Sequence, residues 1–148
     1  MKFVIVMIKQ FITYKWYDDD KRIRGECIMV KEILIVDDQP GIRLLLNEVF
    51  KKDGYVTHLA PNGVEALKIF DQEHIDCVLL DMKIPGMNGI EILQKLKEKN
   101  KAIPVMMMTA YGEQELIDEA IRLGASNYFT KPFNIFDVLK EVGNILSK

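Results

Sequence analysis

From residue 32 onward, short apolar runs rich in Val, Ile and Leu recur at 32–36, 55–59, 77–80, 103–108 and 127–129, separated by stretches with helical spacing. Runs of this length bounded by turn residues read as buried strands. Between them, Ile42, Leu45, Leu46, Val49 and Phe50 follow an i, i+3, i+4, i+7, i+8 stripe. Leu116, Ile117, Ala120 and Ile121 form another, and Ile135, Val138, Leu139, Val142, Ile145 and Leu146 a third. Pro40 suits the opening turn of a helix, and Gly54 and Gly124 suit helix C-termini. Five strands alternating with five helices predict a parallel sheet covered on both faces, hence a three-layer α/β fold.

The segment before this pattern differs in character. Residues 1–28 hold Phe3, Phe11, Tyr14, Trp16 and Tyr17, followed by the charged run Asp18 to Arg22. Their longest apolar run, Phe3 to Ile8, is too short for a membrane span or a signal-peptide core. Met29 begins a plausible shorter chain, so residues 1–28 are expected to be a disordered extension or the product of an upstream start site. Residues 29–148 are then the folded domain, and no output domain is expected after them.

Composition narrows the function classes. With 20 basic and 22 acidic residues interleaved and a formal charge of -2, no nucleic-acid footprint stands out. Cys27 and Cys77 show neither CxxC spacing nor a neighbouring histidine pair, so neither a disulfide framework nor a zinc site is indicated. The chain reads as cytoplasmic. The methionines, including Met7, Met29, Met82, Met87 and Met106 to Met108, read as adaptable apolar filling.

In open parallel sheets ligands bind beyond the carboxyl ends of the strands. Those ends carry Asp37 and Asp38, Asp81, Thr109 and Lys131. Singly, an Asp or Thr there is most often a helix cap, and a lone Lys is most often solvated. Jointly, they converge on one edge. Clustered carboxylates either protonate or hold a cation, and oxygen donors without imidazole or thiolate favour a hard ion such as Mg²⁺. Paired carboxylates therefore suggest phosphoryl chemistry in which a carboxylate is the nucleophile, with Lys131 and Thr109 binding phosphoryl oxygens.

The motifs "ILIVDDQ", "VLLDMKIPGMNGIEIL", "MMMTAYG" and "YFTKPF", in this order over residues 31–146, resemble the response-regulator receiver domains of bacterial two-component signalling. The resemblance implies a doubly wound, flavodoxin-like (βα)5 fold with strand order 2-1-3-4-5. It further implies that Asp81 is the phosphoacceptor, and that Asp37 and Asp38 bind Mg²⁺, or Mn²⁺, with Asp81 and the backbone carbonyl of Lys83. Lys131 and Thr109 would sense the phosphoryl group, Tyr128 matches the switch aromatic, and Lys131-Pro132 matches a cis peptide. Within the family the chain is most similar to the single-domain receivers of sporulation phosphorelays, although the position of Tyr128 is His in that relative.

A monomeric phosphotransfer intermediate follows as the expectation, rather than a metabolic enzyme. A sensor histidine kinase would phosphorylate Asp81 and a histidine phosphotransferase would take the group onward, with no nucleic acid or membrane involved. Gln39, Gly41, Ile42, Leu45, Pro132 and Phe133 border the site and are candidate partner contacts, with core packing the competing reading for Ile42 and Leu45. The stem of Lys83 is a candidate shield for an acyl phosphate. Two alternatives are a stand-alone receiver that binds an output protein when phosphorylated, as in chemotaxis, and a haloacid-dehalogenase-type phosphatase. The latter family carries a second Asp two residues after its nucleophile, where this chain has Lys83.

Overall fold

A computed structural model describes the backbone of residues 2–8, 11–17 and 23–147, and side chains from Val30 to Ser147. The chain divides into two compact units, Met1–Lys31 and Glu32–Lys148. In the first, β1 (Lys2–Ile8), β2 (Phe11–Tyr17) and β3 (Ile23–Met29) form an antiparallel sheet in the order β1-β2-β3. This backbone is strand where disorder was one of the two expectations. The β-branched and aromatic residues of all three segments suit strands, and β3 runs past the expected boundary at residue 28. The side chains of Met7, Cys27 and Met29 lie outside the described residues.

The second unit is the expected three-layer fold. It comprises β4 (Glu32–Val36), α1 (Pro40–Lys52), β5 (Val56–Ala60), α2 (Gly63–Gln72), β6 (Cys77–Asp81), α3 (Gly89–Lys99), β7 (Val105–Thr109), α4 (Gln114–Arg122), β8 (Asn127–Thr130) and α5 (Ile135–Leu146). The five strands are parallel in the order β5-β4-β6-β7-β8, which is 2-1-3-4-5 counted from β4. Alternate residues of the central strands serve two cores. Ile33, Ile35, Cys77, Leu79, Met106 and Met108 pack with Leu46 and Phe50 of α1 and Val138 and Val142 of α5. Leu34, Val36, Val78, Leu80, Val105 and Met107 pack with α2, α3 and α4. The strands β4, β6 and β7 are buried throughout, which is why they read as unbroken apolar runs.

Three details depart from expectation. Strand β7 starts at Val105 rather than 103, because Pro104 brings no N–H to the ladder and Ile103 N–H instead closes a turn onto Asn100 O. Strand β5 starts at Val56, leaving Tyr55 free to pack edge-on against Phe50 at 5.5 Å between ring centres. Leu45 does not join the core stripe of α1. It is 53% exposed, since consecutive helical residues point about 100° apart and Leu46 takes the core. Elsewhere Pro40 occupies the first turn of α1, and Gly54 and Gly124 take positive φ just past α1 and α4.

Candidate functional site

The carboxyl ends of β4, β6 and β7 and the segment after β8 bring Asp37, Asp38, Asp81, Thr109 and Lys131 to one edge of the sheet. Asp37 is fully buried and pinned. Its Oδ1 accepts the Gln39 N–H at 2.9 Å, its backbone carbonyl accepts from Arg43 at 2.6 Å, and its Oδ2 accepts from Lys131 Nζ at 2.9 Å. Lys131 Nζ also lies 3.2 Å from Asp81 Oδ2, so one ammonium bridges two carboxylates. Asp81 is nearly buried at the end of β6, and its Oδ1 accepts the Lys83 N–H at 3.4 Å. Asp38 is exposed, yet one oxygen each of Asp37, Asp38 and Asp81 come within 4.8 Å of one another. The peptide between Lys131 and Pro132 is cis.

Charge is unbalanced here. Burial pushes the Asp81 carboxyl up from 3.8 to about 6, Asp37 adds to the rise, and Lys131 pulls the other way without prevailing because it is shared. Burial works against the Lys131 ammonium too, but its hydrogen bonds and attraction to Asp37 and Asp81 hold its pKa above the ordinary value. A third acidic group facing two buried ones fits a cation: the donors are all oxygen, and a hard divalent ion removes the repulsion. Beside them opens a cleft of about 410 Å³ bordered by Asp38, Lys83, Pro85 and Asn88.

Two residues not singled out from the sequence belong to this site. Glu113, at the N-cap of α4, accepts the Thr109 hydroxyl at 2.5 Å and the Ala110 N–H at 3.1 Å through Oε2. Its Oε1 lies 2.6 Å from Lys83 Nζ, a close ion pair poorly angled for a hydrogen bond. Burial opposes the Glu113 charge, yet contacts from Lys83, Thr109 and Ala110 hold its carboxyl below the usual range. The Thr109 hydroxyl and the Lys83 ammonium are thus tied to Glu113 rather than to Asp81. The signal in the sequence was the acid four residues after Thr109. Arg43, clamped on the Asp37 carbonyl, had no such signal.

The remaining candidates lie at the rim. Gln39, Gly41, Leu45 and Pro132 are exposed, and Ile42 and Phe133 are half-buried against the α1 and α5 core. Phe133 meets Phe129 edge-on at 6.4 Å. Tyr128 is 40% exposed on β8, with its ring free of the cluster's hydrogen bonds.

The family model for the response regulator receiver domain matches residues 33–143. This chain belongs to the receiver-domain family. It is 55% identical to Sporulation initiation phosphotransferase F of Bacillus subtilis (strain 168) over 119 residues, covering 80% of this chain and 96% of that protein. The Regulatory protein AtoC of Escherichia coli (strain K12) is 42% identical over 106 residues, which are 72% of this chain and 23% of that larger protein. A solved receiver domain protein (CheY-like) from Methanospirillum hungatei JF-1 matches with a TM-score of 0.77 and 30% identity, over 80% of this chain and 94% of that one. Among the described residues no helix is long and apolar enough to cross a membrane.

Proposed function

We propose that this receiver is a phosphorelay intermediate in the initiation of sporulation. A sensor histidine kinase supplies the phosphoryl group: the P–N bond of a phosphohistidine breaks as a P–O bond forms to a carboxylate oxygen of Asp81, and the imidazole keeps the electron pair. The reverse step passes the group to a histidine phosphotransferase. The observation that carries this reading is the Lys131 ammonium bridging Asp37 and Asp81 at 2.9 and 3.2 Å, a pre-placed cation beside a carboxylate at a central strand end. Likeness to a phosphotransferase over nearly that protein's whole length supports the relay role.

Asp37, Asp38 and Asp81, with the Lys83 backbone carbonyl, would hold Mg²⁺ or Mn²⁺, which supplies charge neutralisation to the phosphoryl oxygens. Lys131 binds one of those oxygens and Thr109 another, the latter after its hydroxyl leaves Glu113. Tyr128 follows Thr109 in the switch, and Gln39, Gly41, Ile42, Leu45, Pro132 and Phe133 form the surface on which histidine proteins dock. The work is cytoplasmic and belongs to residues 29–148, with residues 1–28 either an extension to it or the product of an upstream start site. Intact mass of the native protein reads that last point directly, as a start at Met29 or at Met1.

The relay is tested by incubating the chain with a phosphorylated histidine kinase and then with a histidine phosphotransferase. Label moving from kinase to Asp81 to phosphotransferase is expected. Label lost only to water would overturn the relay and favour direct binding of an output protein.

A further inference from the structure

Both histidines of this chain sit together with acids away from the phosphoryl edge. Glu32 opens β4, five residues before Asp37, which places it about 16 Å away along the strand. Its side chain is nearly buried, and its Oε2 lies 2.7 Å from Nε2 of His58 on the neighbouring strand β5. Glu73, the exposed C-cap of α2, completes a set whose ligand atoms all lie within 4.8 Å of one another. Glu32 is held from both sides: its N–H donates to Asp76 Oδ2 and its carbonyl accepts the Asp76 N–H, each at 2.8 Å. The same Asp76 engages His74 Nε2 at 2.8 Å.

We infer that Glu32, His58 and Glu73 form a second metal site, selective for a borderline first-row divalent ion of the Zn²⁺ type. A His–Glu hydrogen bond alone explains Glu32 and His58, whereas the Glu73 carboxylate brings a third donor within reach of both. One imidazole nitrogen with two carboxylate oxygens supplies three donors of types that bind Zn²⁺ and leaves a fourth position open to water. Tetrahedral Zn²⁺ at its usual bond lengths separates adjacent donors by about 3.3 Å, so the 2.7 Å contact has only to open slightly. Imidazole also separates this site from the all-oxygen cluster of Asp37, Asp38 and Asp81, which suits a harder ion. Its ligands come from β4, β5 and α2, so the ion clasps an edge strand and a helix end to the adjoining inner strand and stabilises the fold by linkage.

The test is calorimetric titration of the full chain with Zn²⁺ in millimolar Mg²⁺, which keeps the all-oxygen cluster occupied. One equivalent is expected to bind, with affinity falling by about tenfold or more in Glu73→Gln and in His58→Phe. It should persist in Asp38→Asn. Glu73 is exposed, so Glu73→Gln remains readable even if His58→Phe folds poorly. Absence of saturable binding, unchanged affinity in Glu73→Gln, or loss in Asp38→Asn would each overturn the site.

Discussion

Asp81 illustrates how burial and a neighbouring carboxylate destabilise a charged group. Its pKa in the fold, about 6, exceeds its ordinary 3.8, so the folded state prefers it protonated. The group's contribution to stability is therefore best below about pH 4 and is lost as pH rises through about 6. Asp81→Asn should accordingly raise the melting temperature by a few degrees in metal-free buffer at neutral pH, and Mg²⁺ should stabilise the wild type but scarcely the variant. Differential scanning calorimetry with and without Mg²⁺ checks both. Glu113 is the other residue with a readable charge effect. Its contact holds the Lys83 ammonium above its ordinary pKa, and Glu113→Gln should return Lys83 toward that value in an NMR titration. Of this network only the Thr109–Glu113 contact, four residues apart, left a trace in local spacing. Lys83 and Glu113 meet only because the loops after β6 and β7 lie side by side, whereas Asp37, Asp81 and Lys131 could be read because each directly follows a strand.

Packing sets how precisely those strand ends are held. Gly89 opens α3 so close to the end of β6 that a Cβ there would lie 2.7 Å from Asp81 O and from Met82 Cα. Backbone cannot yield as a side-chain tip can, so Gly89→Ala should cost about 1–3 kcal/mol in chemical denaturation and displace the loop carrying Lys83. The same helix start carries a capping box between Asn88 and Glu91, which fixes its entry direction. Cys77 lies in β6 with its thiol pushed up to about 12, chiefly by burial. Its alkylation in the native state at pH 8 should follow global unfolding, as peptide mapping of iodoacetamide-treated protein would show. Element types were legible because buried central strands carry unbroken apolar runs and helices carry a 3.6-residue stripe. The edge strands were less so: β8 alternates half-buried and exposed positions, and Leu45 imitates a core residue that the turn of α1 sends outward.

The α/β unit as a whole is a scaffold whose two cores leave the carboxyl edge of the sheet as the place where charge accumulates. Four chain segments far apart in sequence deliver three carboxylates, a hydroxyl and an ammonium to that edge, and no single helix or hairpin could hold them so. Fold and acidic edge followed from periodicity; the three-stranded sheet of the first unit was not anticipated, although its β-branched and aromatic residues suit strands. The central claim is that this edge accepts a phosphoryl group on Asp81. Its most direct measurement is intact mass after incubation with acetyl phosphate and Mg²⁺, for the wild type and Asp81→Asn. A gain of one phosphoryl group, acid-stable and alkali-labile and absent from the variant, is the predicted result; an equal gain in the variant, or none in the wild type even with a histidine kinase, would contradict it.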